Sequence, residues 1–120
     1  MTLHRLLAVA AVVLVVSAPA AAALAHARLV RSTPAANAVV ASPDVISLTF
    51  SERMVPAFSS FDLVDAAGRE TPVRATVSED GKTLSARVAR SLAAGAWTVN
   101  WRIASGDGHR MTGSYGFTVR

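Results

Sequence analysis

The sequence contains no cysteine among its 120 residues. This absence excludes a disulfide scaffold, an iron–sulfur cluster, a thiolate zinc site and a cysteine nucleophile. The length is enough for one domain, which also excludes Rossmann and TIM-barrel enzymes. Any metal site in this chain must therefore be built from nitrogen, oxygen or thioether ligands.

The sequence also lacks the basic clusters of nucleic-acid-binding proteins. The formal net charge is only +4, and no run of five basic residues occurs. The aromatic residues lie in strand-like runs and are not interleaved with arginines, so we expect no nucleic-acid partner.

A long apolar run is present only near the N-terminus, where Leu6 to Val16 are eleven consecutive apolar residues. His4 and Arg5 precede this run, Pro19 follows it, and small residues lead to Ala25. This layout predicts that residues 1–25 are a cleaved secretory signal peptide and that His26 becomes the first residue. The alternative is an uncleaved anchor, although the run is shorter than the ~20 residues that span a bilayer. The neighbouring alanines offer other cleavage points.

The remaining 95 residues, 26–120, alternate between apolar and polar residues with a period of two, which is typical of half-buried strands. Asp80-Gly81 lies between two such runs and predicts a hairpin, and Asp107-Gly108 marks another turn. We predict an all-β fold, a small antiparallel β-sandwich of about seven strands with an immunoglobulin-like or cupredoxin-like Greek key. The residues expected in its core are Phe50, Phe61, Trp97, Trp101, Tyr115 and Phe117.

Three residues offer metal ligands. A free N-terminal His26 would supply its α-amine and ring Nδ1, which together close a six-membered chelate ring. Asp107 and His109 are two positions apart in the turn between the last two long strand patterns. An amine, two imidazoles and a carboxylate suit Cu(II) or Ni(II), and the order of affinities favours copper. The alternatives are zinc in a tetrahedral site, an ordinary loop histidine at 109, and a plain Asp-Gly turn.

The mature sequence resembles the CopC family of periplasmic copper-resistance proteins. The matching segments are HARLVRSTPAANAVV (26–40), ISLTFSERM (46–54) and LAAGAWTVNWRIASGDGHRMTGSYGFTV (92–119). The resemblance implies a copper-binding β-sandwich over residues 26–120, located in the periplasm, with one Cu(II) per chain held by His26, Asp107 and His109. It also implies that Glu52 is an alternative ligand or a neighbour of the ligands.

The resemblance further implies a copper carrier or buffer without enzymatic turnover, active in copper resistance or homeostasis. Its expected partners are the copper ion and a separate inner-membrane copper transport protein of the CopD type, and a monomer is expected. Some family members bind Cu(I) through a Met-rich loop, whereas residues 26–120 contain only Met54 and Met111. We therefore expect a single Cu(II) site.

Two other functions are consistent with an exported N-terminal histidine. One is a copper enzyme, because lytic polysaccharide monooxygenases also hold copper with an N-terminal His and a second His. Against it, 95 residues leave little surface for a polymer, and Asp107 would occupy a position that oxygen activation needs open. The other is an exported interaction module that binds no metal.

Overall fold

The computed structural model describes residues 26–120, which form nine strands and one short 3-10 helix, Pro56–Phe58. The predicted signal peptide, residues 1–25, lies outside the described residues. In chain order the strands are β1 (Leu29–Thr33), β2 (Val39–Val40), β3 (Val45–Phe50), β4 (Ser60–Asp65), β5 (Glu70–Thr71), β6 (Ala75–Val77), β7 (Thr83–Arg87), β8 (Gly95–Ala104) and β9 (Arg110–Val119).

The strands form two sheets, which confirms the predicted all-β sandwich. One sheet has the order β1-β3-β7-β6 and the other the order β2-β9-β8-β4-β5. The chain crosses between the sheets after β1, β2, β3, β5 and β7. Every strand pair is antiparallel except β2 with β9, which is parallel. Within residues 26–120, no helix has the length and apolar character needed to cross a bilayer.

The expected number of strands, about seven, was too low. The structure adds β2 and β5, each two residues long, which are too short to show an alternating pattern. Strand β9 also begins at Arg110, four residues before the start expected from the alternation of Ser114 and Tyr115. Gly113 obscured that part of the pattern because it carries no side chain, although its backbone pairs with Trp101.

The core consists of the inward-facing residues of both sheets. Phe50, Phe61, Trp97, Tyr115 and Phe117 are buried, as the alternation predicts. Trp101 is only partly buried and packs edge-to-face against Phe50, with the ring centroids 5.0 Å apart. Burying side chains of this size contributes about 1.5–3 kcal/mol each, which is enough to fix the register of the strands that carry them.

The hairpin of β8 and β9 positions the loop of interest. Its ladder runs without interruption from Gly95↔Val119 to Ala104↔Arg110, and the loop 105–109 follows at once. The other predicted hairpin is also confirmed, because β6 and β7 pair antiparallel around Asp80-Gly81. A long, regular ladder leaves the loop little freedom at its two ends.

Candidate metal centre

Three segments meet at one end of the sandwich: the start of the described chain, the segment after β3, and the loop 105–109. Arg28 N donates to Ser51 Oγ, and Ser51 N donates to Arg28 O, both at 2.9 Å. Met54 forms an isolated antiparallel bridge with Ser105, and Val55 N donates to Ala104 O at 2.8 Å. Backbone hydrogen bonds thus join segments that are far apart in the sequence.

His26 is placed at this end by its neighbour. Ala27 is only 5% exposed and belongs to the core, whereas the side chain of His26 lies at the surface. His26 and Glu52 line the same shallow depression of about 410 Å³, together with Arg28 and Ser51. Glu52 is exposed and extends from the segment that Arg28 holds in place, so it lies beside His26 as a candidate ligand or neighbour.

His109 and Asp107 contact each other within the loop. Nδ1 of His109 lies 2.8 Å from Oδ2 of Asp107, and its backbone N–H donates to Oδ1 of Asp107 at 3.1 Å. A ring that donates through Nδ1 carries its lone pair on Nε2, which is then the nitrogen able to bind a metal. Gly108, at φ +87°, lets the chain turn tightly between the two residues.

Ser105 holds the carboxylate from the other side. Its hydroxyl donates to Oδ1 of Asp107, and its backbone N–H donates to the carbonyl of His109 at 2.9 Å. Hydrogen bonds hold the pKa of the Asp107 carboxyl well below its usual range. The hydrogen bond from Ser105 contributes most to this lowering, and the one from the His109 ring comes next. Asp107 is therefore ionised at neutral pH.

The structure brings the two histidines of the described chain together. The rings of His26 and His109 are edge-to-face, with centroids 5.8 Å apart and planes at 87°. Two nitrogens that share one ion lie at most ~4 Å apart, because each bond to the metal is ~2 Å long. The centroid separation of 5.8 Å is compatible with a nitrogen of each ring binding the same ion.

The side chains do not form a complete metal-binding cluster as they stand. Over residues 26–120, no group of three or more histidine and carboxylate side chains is close enough to hold an ion. The donors form two sets: His26 beside Glu52, and His109 bound to Asp107. The arrangement supplies two adjacent imidazoles. The carboxylate of Asp107 would have to rotate to bind an ion directly; otherwise it affects the ion only through its hydrogen bond to His109.

Sequence reasoning singled out the donors but missed the residues that orient them. Ser105 is 9% exposed and was not among the residues singled out from the sequence. Ser59 is 7% exposed; it donates to Val55 O at 2.8 Å and accepts from Ala104 N at 3.3 Å, next to the same loop. A serine two residues before Asp-Gly is a signal for a side-chain-to-backbone turn, and it identifies Ser105 but not Ser59.

Together, the fold and this site define a small β-sandwich with a pair of imidazoles at the end of its longest hairpin. Residues 29–120 match the family model described as the CopC domain, and the chain belongs to the CopC family. The resemblance seen in the sequence is thereby confirmed.

Relatives cover almost the same length. The chain is 35% identical over 123 residues to Copper resistance protein C of Xanthomonas campestris pv. juglandis, with 97% of each chain covered. It is 44% identical over 107 residues to Copper resistance protein C of Pseudomonas syringae pv. tomato, covering 83% of this chain and 85% of that relative.

Solved structures agree with the fold. The crystal structure of CopC from Methylosinus trichosporium OB3b superposes with a TM-score of 0.74 at 34% identity, covering 78% of this chain and 93% of the other. PcoC of Escherichia coli, described as a methionine-rich copper resistance protein, gives a TM-score of 0.73 at 34% identity, covering 80% and 100%.

Proposed function

We propose that this chain is an exported copper-resistance protein that binds one Cu(II) ion as cargo, as a carrier or buffer without turnover. The observation that carries the proposal is the proximity of His26 and His109, whose ring centroids are 5.8 Å apart although 82 residues of chain lie between them. Membership of the CopC family and the printed names of its relatives support copper as the cargo.

The proposed ligands are the α-amine and Nδ1 of His26, Nε2 of His109 and the carboxylate of Asp107. Removal of residues 1–25 is part of the proposal, because His26 has a free amine only when the preceding peptide bond is cut. Asp107 accepts a hydrogen bond from Nδ1–H of His109, which leaves the lone pair of the ring on Nε2. Glu52 lies beside His26 and is the proposed alternative ligand.

The donor set favours Cu(II) over Cu(I). Nitrogen and oxygen donors suit Cu(II), whereas Cu(I) prefers thiolates and thioethers. Met54 is 5% exposed and belongs to the core, and Met111 is partly buried, so the described residues present no surface cluster of thioethers. This differs from the relative described as methionine rich, and we propose a single site for Cu(II).

Export to the periplasm, a monomeric state and transfer of copper to a separate CopD-type membrane transporter complete the proposal. The placement of ligands at one exposed end of the sandwich is compatible with transfer, because a partner's ligands can approach the ion without unfolding the core.

The test starts from protein exported by a bacterial host, whose intact mass is expected to correspond to a chain beginning at His26. This protein is titrated with Cu(II) against a competing chelator, and the bound ion is examined by electron paramagnetic resonance. We expect one equivalent with nitrogen hyperfine coupling. His109→Ala should weaken binding by about tenfold or more, since even residues that only support ligands contribute ten- to hundredfold.

Two comparisons make this test specific. Arg110→Ala changes an exposed neighbour of His109 and should leave the affinity unchanged. One extra glycine before His26 keeps the imidazole but displaces the amine, so it should weaken Cu(II) binding by about tenfold or more. A different mature terminus, or equal affinity in the His109→Ala protein, would contradict the proposed ligand set.

A further inference from the structure

The two sheets differ in charge. The strands β1, β3, β6 and β7 contain no aspartate or glutamate, whereas the other sheet carries Asp62, Asp65 and Glu70 in its strands. The outward positions of the four-stranded sheet are occupied by hydroxyl residues in the middle, such as Thr49 and Thr83, whose Oγ1 atoms are 3.1 Å apart. Arginines lie toward its corners.

Two of these arginines face each other. In the pairing of β6 with β7, Ala75 is opposite Ala86 and Thr76 is opposite Ser85. Extending this register by one residue places Arg74 opposite Arg87, and Arg87 also pairs with Val45 of β3. Like charges directly opposite each other destabilise a sheet. A negative charge bound between the two guanidinium groups would relieve this repulsion.

The described residues do not provide that charge. Among residues 26–120 the ion pairs involve Arg69, Arg102 and His109, and neither Arg74 nor Arg87 lies within 4.0 Å of a carboxylate. Asp44 precedes β3 and its backbone carbonyl accepts a hydrogen bond from Val88 N at 2.9 Å, but its carboxylate forms no ion pair with either arginine.

The arginines instead border a depression of about 440 Å³. It is lined by Val45, Arg74, Thr76, Ser85, Ala86 and Arg87. Two guanidinium groups and two hydroxyl groups are all hydrogen-bond donors, and the planar guanidinium matches the spacing of phosphate oxygens. The depression presents donors and positive charge together, with an apolar edge at Val45.

We propose that this depression binds a phosphate group, through Arg74 and Arg87 with Thr76 and Ser85 as additional donors. The site is separate from the copper centre: Arg87 pairs at the start of β3, whereas Glu52 follows its end, about 20 Å away at ~3.3 Å per residue. Inorganic phosphate and the headgroup of an anionic phospholipid share this chemistry.

The test uses metal-free chain 26–120, which contains both sheets and the core, labelled with ¹⁵N. Sodium phosphate is titrated at constant ionic strength against sodium chloride, and amide shifts are followed by NMR. We expect saturable shifts at Arg74–Val77 and Ser85–Val88 with phosphate only. Arg74→Gln and Arg87→Gln should each weaken the response by about tenfold, whereas Arg31→Gln, on the same face at another corner, should not.

A second arm identifies the source of the phosphate. Vesicles of phosphatidylglycerol and of phosphatidylcholine are sedimented with the same proteins. Sedimentation with phosphatidylglycerol that the double variant Arg74→Gln/Arg87→Gln loses supports a lipid headgroup. No sedimentation, with saturable phosphate shifts, supports a soluble phosphate compound. Shifts that do not saturate, that chloride reproduces, or that persist in the double variant would overturn the proposal.

Discussion

The contact between Gly113 and Trp101 leads to a quantitative prediction. The two residues are directly opposite in the β8–β9 ladder, and the indole lies where a side chain at position 113 would be. A Cβ added at Gly113 would lie 2.2 Å from Cζ2 and 2.6 Å from Cε2 of Trp101. Ordinary carbon contacts are about 3.5–4.0 Å, so in Gly113→Ala the indole must move by more than about 1 Å.

On the core side the indole meets Phe50, which is 1% exposed, with 5.0 Å between the ring centroids. Overpacking of this kind costs about 1–3 kcal/mol, and the lower entropy of alanine in the unfolded chain returns about 0.4–1 kcal/mol. We therefore expect Gly113→Ala to reduce the free energy of unfolding by roughly 1–2 kcal/mol, which for a domain of this size lowers the Tm by about 4–16 °C.

Gly116→Ala is the matched control. Gly116 lies in the same strand, and a Cβ there would meet the nearest atom, the carbonyl oxygen of Trp97, at an ordinary 3.5 Å. Urea unfolding followed by far-UV circular dichroism should show this variant close to the unmodified protein. Trp101→Phe, which removes part of the indole, should reduce the penalty of Gly113→Ala in a double-mutant cycle. Equal stability of the two alanine variants would refute the reasoning.

Two further predictions concern single side chains. Ser105→Ala removes the hydroxyl that orients Asp107, so it should weaken Cu(II) binding by about tenfold. Ser114 is exposed in β9, and Ser114→Ala should leave the affinity unchanged. Equal Cu(II) affinities of the two variants in competition titrations would count against this role of Ser105. Hydrogen bonds, chiefly from the Arg69 backbone N–H, lower the pKa of Asp65, so its stabilisation is present above about pH 4 and lost as the pH falls further. Asp65→Asn should be less stable at pH 7, and thermal unfolding should show the gap closing in acid; a gap that does not change with pH would disprove it.

The alternation of residues predicted most of the sandwich because burial of one face requires it. Leu84 and Ala86 point inward and Arg87 outward, as the pattern indicates. The alternation of apolar and polar residues cannot predict β2, because Val39 and Val40 form a strand only by pairing with β9. Short edge strands depend on a partner that is distant in sequence, and no local pattern records it.

The candidate site also has one contact that local sequence predicts and one that it does not. Asp107 and His109 are close in the sequence, and their contact follows from the turn that Gly108 permits. The approach of His26 to His109 does not follow from any local pattern. It depends on Ala27 being buried in the core and on Arg28 pairing with Ser51, which together fix the position of the segment that carries His26.

The separation of His26 and His109 along the chain has a consequence for metal binding. The imidazoles come together only when the sandwich is folded, because 82 residues of chain lie between positions 26 and 109. The unfolded chain cannot offer the same paired site, so binding free energy at the proposed centre would also stabilise the fold. Because the Met54–Ser105 bridge and the β8–β9 ladder hold the loop of His109 in place, we expect His26 to be the ligand that adjusts on metal binding. His26 is thus both the ligand that we expect to adjust and the one whose free α-amine is proposed to arise on export.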